Sequence, residues 1–124
     1  MPVTELDQVL ADMRRAGGIR AIAIVSRDGI LIASDMPAEI HPETFAAMSA
    51  IILGAAETAA LEINTPAPDR IIVETDEGRL VVSGAGERMM LVALAEAQAG
   101  LGHVIVEMSR AVDRIKELFG ESPG

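Results

Sequence analysis

The side chains in this chain that could do chemistry are few, and their spacing argues against catalysis. The two histidines, His41 and His103, fall in separate segments with no carboxylate at metal-ligand spacing, so no metal site is expected. His41 stands directly before Pro42, where a helix cap or a plain loop residue is needed, and His103 falls on the polar side of the last helix. Gly84-Ala85-Gly86 opens like a phosphate-binding glycine loop. However, Met89 occupies the third glycine position and a strand follows, so the helix N-terminus that would hold a phosphate is missing. Lys116 is the only lysine and lies in no P-loop pattern, and the serines lack a plausible base. With no cysteine, disulfides, thiol catalysis and cysteine-ligated metals are excluded. The expectation is a protein that is not an enzyme, with no catalytic residues and no cofactor.

Composition sets the frame for what remains. The chain has 124 residues, enough for one core, and is read as a single domain over 1–120 with a short flexible tail at 121–124. Phe45 and Phe119 are the only aromatic residues, so the core must be aliphatic and stacking platforms for bases or sugars are absent. The net charge of −9 is concentrated between Asp28 and Gly78, where ten acids face one base, Arg70. Such a region keeps a surface solvated or favours a basic protein partner; it repels phosphate backbones, so nucleic acid is not an expected partner. No charged segment followed by an apolar run opens the chain, which argues against a signal peptide. A cytoplasmic location is expected.

The segment that must position any function is Pro42 to Ile63, read as one long helix. Pro42 suits the first helical position, Glu43 the positive end of the helix dipole, and Asn64-Thr65-Pro66 the stop. On a helical wheel Phe45, Met48, Ile52, Ala56, Ala59 and Ile63 share a side, with Leu53 at its edge, and are expected to face the core. The opposite side is also apolar: Ala47, Ala50, Ile51, Gly54, Thr58 and Leu61. Three explanations compete: a membrane span, a helix buried wholly within the domain, or a helix whose small-residue side receives a partner. The charge-free run from Thr44 to Ala56 is too short for a span, which needs about 20 residues, so no membrane insertion is expected. The third explanation is preferred, with Ala47, Ala50, Ile51, Gly54 and Thr58 as the partner-binding face.

Around that helix the sequence predicts the order α-β-β-α-β-β-β-α. A short helix from Thr4, a potential cap, to Ala16 buries Leu6, Val9, Leu10 and Met13 and is stopped by Gly17-Gly18. Ile19–Ser26 and Ile30–Ser34 flank Asp28-Gly29 as a hairpin, and the first run is apolar on both sides, as a central strand would be. Arg70–Thr75, Arg79–Ser83 and Met89–Ala95 are three further strands, and the last helix runs to about Phe119. The fold class is α+β, a five-stranded mostly antiparallel sheet with helices on both faces.

With these elements placed, the chain resembles the roadblock family, which includes dynein-type roadblock light chains and the MglB-type regulators of small GTPases. The likeness runs from Leu6 to Leu118. It is carried by GIRAIAIVSRDGILIAS with the small-residue helix after it, by RIIVETDEGRLVVSGAGERMMLVALAE, and by the Gly100-Leu101-Gly102 approach to the last helix. The resemblance implies a profilin-like sheet of order 2-1-5-4-3, with the long helix on one face and the terminal helices on the other. It implies a homodimer in which the strand Ile71, Ile72, Val73, Glu74 and Thr75, together with Leu61, meets its symmetry mate. It further implies that the paired long helices form a platform that contacts a small Ras-like GTPase, to stimulate, inhibit or localise it; a GTPase-activating effect would act by reshaping the partner's own switch loops. Arg27 and Arg88 lie in turns and are read as surface charge rather than as catalytic arginines. Two alternatives stand beside this: a motor light chain or structural adaptor without a GTPase, and a PAS-like or profilin-like small-molecule sensor domain.

Overall fold

In the computed structural model of the chain, which describes residues 2–121, the elements follow in the expected order. They are α1 (Pro2–Ala16), β1 (Ile19–Ser26), β2 (Leu31–Asp35), α2 (Pro42–Glu62), β3 (Arg70–Thr75), β4 (Gly78–Ala85), β5 (Met89–Glu96) and α3 (Leu101–Leu118). The strands form one antiparallel sheet in the order β2-β1-β5-β4-β3. Helix α1 begins at Pro2, so Thr4 lies inside it rather than capping it; the side chain of Thr4 lies outside the described residues.

The alternation within β1 explains why the sheet has a core on each face. Ile22 and Ile24 project to one side, where they join Leu6 and Val9 of α1 and Val104 and Met108 of α3. Ala23 and Val25 project to the other, against Ala46 and Leu53 of α2. Strand β5 repeats the division, with Leu91 and Ala93 on the first side and Met90 and Val92 on the second. A side-chain period of two makes a strand buried on both faces apolar at every position.

Two turns differ from their sequence reading. Gly29 takes φ +89° in the β1–β2 connection, as the hairpin requires, but β2 begins only at Leu31 and Ile30 is left exposed. Gly78 belongs to β4 rather than to the preceding turn, and pairs with Thr75. Its need for glycine comes from a close approach: a Cβ there would collide with the carbonyl oxygen of Ala95 on β5.

The chain past α3 is also tied down further than the sequence suggests. Glu121, placed by sequence in a flexible tail, has its N–H bonded to the Lys116 carbonyl at 2.7 Å. Its carboxylate accepts the Glu87 N–H at 2.9 Å, clasping the β4–β5 turn. The rest of the expected tail, 122–124, lies outside the described residues.

Candidate partner-binding surface

Helix α2 is apolar nearly all round, and the structure decides which side it buries. The sheet-facing stripe is Ala46, Ser49, Leu53 and Ala60, an i, i+3/i+4 series, with Phe45, Ala50, Ile52, Ala56 and Glu57 half-buried at its borders. The stripe expected from the wheel is thereby corrected. Met48 is 50% exposed and Ile63 70% exposed, Ala59 is exposed as well, and Leu53 moves from the edge to the centre. The physical reason is closeness: small residues at 46, 49 and 60 let the helix axis lie near the sheet, and one Leu fills the space beneath it. With no polar face to mark the outside, the apolar pattern could not phase the helix.

The predicted partner face divides in two. Ile51 is 60% exposed, Leu61 74%, and Gly54 and Thr58 are open to solvent. A Cβ on Gly54 would meet nothing within 4 Å. Ala47 and Ala50, however, are half-buried beside the β1–β2 turn: a Cβ on Gly29 would lie 3.5 Å from the Ala47 Cα and 3.6 Å from the Ala50 Cβ. They are small because the chain's own hairpin passes over them. The exposed face is therefore Met48, Ile51, Gly54, Ala55, Thr58 and Leu61, with Glu62 at its lower end. By length and composition α2 could cross a bilayer. Its inner stripe is nonetheless committed to the sheet, and Glu57 is committed to an ion pair.

Strand β3 is the second exposed feature. It pairs with β4 alone and closes one end of the sheet. Ile71 and Ile72 are half-buried on opposite faces, while Val73 (39% exposed), Glu74 and Thr75 are open. An apolar edge strand left bare is a template for another strand.

Sequence reasoning passed over the junction at Arg27. Read as surface charge, this residue is instead half-buried and donates three hydrogen bonds: Nε to the Met89 carbonyl at 3.2 Å, Nη2 to the Gly86 carbonyl at 2.8 Å and Nη1 to Glu57 Oε2 at 3.0 Å. Its guanidinium lies against Gly84, where a Cβ would come within 2.7 Å of Nη2. Arg27 thus ties the β1–β2 turn to the β4–β5 turn and to α2. A hollow of about 240 Å³ opens beside it, lined by Arg27, Glu57, Asp69, Gly84, Gly86 and Lys116 among others; both signs of charge border it, so it selects no ion by charge. The only available signal was composition: an Arg in one turn and a Glu in the helix, separated by thirty residues. His41 occupies the N-cap position of α2 without a side-chain cap, and exposed His103 lies 3.3 Å from the Gly17 carbonyl, far from His41 in the chain.

Known proteins share this arrangement. The Roadblock/LC7 domain model matches residues 5–95. The chain belongs to the Roadblock/LC7 domain family. An uncharacterized protein of Methanocaldococcus jannaschii is 35% identical to this roadblock domain over 114 residues, covering 92% of the chain and 99% of the relative. Among solved structures, Myxococcus xanthus MglB superimposes with a TM-score of 0.90 at 21% identity, over 95% of this chain and 90% of that one. An MglB with a tetrameric arrangement gives 0.88 at 23% identity, over 94% and 89%. At such identity the two structures establish the fold of the roadblock domain.

Proposed function

We propose that this roadblock domain is a non-enzymatic homodimeric platform that binds a small Ras-like GTPase across its paired α2 helices. The observation that carries this reading is the outer face of α2. It presents apolar and small side chains to solvent on a helix whose inner stripe is already buried. Exposed apolar area of that kind marks an interaction site. The likeness of the fold to MglB, one structure of which is a tetrameric arrangement, supports self-association. The family resemblance to MglB-type GTPase regulators supports the class of partner.

The reading assigns no catalytic arginine. Arg27 is engaged by Glu57 and two carbonyl oxygens, so its guanidinium is held against its own domain. Any stimulation of hydrolysis then works through the partner's own switch loops. An arginine finger has a separate signature, since its loss costs about 10³–10⁵ in rate.

The test is capture of the small GTPases of the source cell in GDP-bound and GTP-analogue-bound forms, with Ile51→Glu as the control. Capture that depends on the nucleotide and is lost in Ile51→Glu supports the platform. Capture unaffected by Ile51→Glu moves the site off α2, and no capture in either form overturns the GTPase reading.

A further inference from the structure

The stretch Gly84-Ala85-Gly86, which opens like a phosphate loop in the sequence, does hold an anion in the structure: the carboxylate of Glu121. Gly86 takes φ +86°, and the N–H that follows it, that of Glu87, donates to Glu121 Oε1 at 2.9 Å. A Cβ on Gly86 would collide with the same carboxylate, so glycine is needed there for its dihedral and for its space. Arg27 holds the other side of the turn, its Nη2 on the Gly86 carbonyl at 2.8 Å and its backbone N–H on the Arg88 carbonyl at 2.9 Å. One peptide unit, Gly86 C=O to Glu87 N–H, is thus shared: its oxygen goes to Arg27 and its N–H to Glu121. A peptide unit is planar, so it cannot turn toward or away from one partner without disturbing the other.

The line of hydrogen bonds continues at both ends. The Glu121 N–H is bonded to the Lys116 carbonyl in the last turn of α3 at 2.7 Å, and Arg27 Nη1 to Glu57 Oε2 in α2 at 3.0 Å. Helices α3 and α2 pack on opposite faces of the sheet, and this line joins them around its end. Glu57 and Lys116 border the same hollow. The carboxylate is the weak link. Glu121 Oε2 is buried and has no hydrogen-bond donor among the described residues. A buried charged oxygen without a donor opposes burial about as strongly as one hydrogen bond favours it. The closed position therefore lies near balance.

We propose that Glu121 is a latch: closed, it holds the outer face of α2 in place through the shared peptide, Arg27 and Glu57; open, it loosens that face as a partner surface. Glu121 is a positioning residue in this scheme and touches no partner. Its effect on a partner rests on the α2 platform proposed above, whereas the coupling from Glu121 to α2 is a property of the chain alone.

Nuclear magnetic resonance on the full chain reads each link. In E121A the Glu87 amide should exchange with solvent about tenfold faster, and the Arg27 Nε–H likewise. The Glu57 carboxyl resonance should move as its ion pair loosens. E121Q, which keeps an acceptor oxygen, should fall between E121A and wild type. In an R27A background E121A should still free the Glu87 amide but leave the α2 resonances where R27A alone puts them. An unchanged Glu87 amide in E121A overturns the clasp. A freed Glu87 amide with Arg27 Nε–H and Glu57 unmoved overturns the coupling, as does an α2 response that persists in R27A. With a GTPase that the unaltered chain captures, E121A should weaken capture several-fold while Ile51→Glu abolishes it. Equal capture by E121A and wild type overturns the control of the surface. Absence of any capture overturns the GTPase reading instead, and the resonance measurements still decide the latch.

Discussion

Arg27 Nη1 stands 3.0 Å from Glu57 Oε2, a contact between the first hairpin and the middle of α2 made by residues thirty positions apart. It fixes how the outer face of α2 is rotated, because the same guanidinium is held by the carbonyls of Gly86 and Met89. Arg27→Ala should lower stability by about 1–2 kcal/mol, the scale of charged hydrogen bonds discounted for a side chain a third exposed. Arg88→Ala, in an exposed turn position, should fall within about 0.5 kcal/mol of wild type. Denaturant unfolding of both variants checks this; equal stability would mean that Arg27 is ordinary surface charge.

The phase of α2 is tested by truncation. Leu53 is the large, fully buried side chain of that helix, so Leu53→Ala should cost about 2–5 kcal/mol. Met48→Ala should cost about 0.5 kcal/mol or less, because half of Met48 is already in water. Thermal melts of the monomer, at concentrations below dimer dissociation, separate the two.

Ala50 and Gly54, one turn apart, should respond differently to the same substitution. Gly54→Arg enters open space and gains helix propensity of up to about 1 kcal/mol, so it should fold, melt near wild type and lose partner capture. Ala50→Arg must push aside the hairpin at Gly29 and should lower the melting temperature. Circular-dichroism melts with sedimentation on each single variant make the comparison; a stable Ala50→Arg would mean that the hairpin yields easily.

Proline on β3 distinguishes its two edges. Val73 directs its N–H to Leu80 on β4, so Val73→Pro should damage the chain's own sheet and depress the melting temperature. Ile72→Pro removes an N–H from the open edge, and should spare the monomer while weakening the dimer. Reversed effects in paired melting and sedimentation measurements would overturn the ladder phase.

Acid should loosen the contact between α1 and α3. Asp12 accepts hydrogen bonds from Arg114 at 2.7 Å and from Gln8 at 2.9 Å, and these, Arg114 first, hold its carboxyl below the ordinary value of 3.8. A depressed carboxyl contributes stability that is complete above the unfolded value and is lost as pH falls through the folded one. Asp12→Asn should therefore flatten the stability curve below about pH 4, and Arg114→Gln should move the Asp12 titration upward in carbon-detected NMR.

The sequence by itself determined the element order, the central place of β1 and the length of α2. All of these follow from local periodicity and from Pro and Gly, which act through the chain's own dihedrals. It also determined the family, because the small-residue helix and the hairpins stand in a recognisable order. Only the tertiary structure decided which side of α2 faces water. A helix apolar all round carries no phase signal, and Ala46, Ser49, Leu53 and Ala60 reach the core because the sheet lies close there. It alone decided that Ala47 and Ala50 are small for the hairpin above them, and that Arg27 belongs to Glu57 and Gly86. Those contacts join residues far apart in the chain, and no local spacing encodes a distance that exists only once the sheet has brought both ends together.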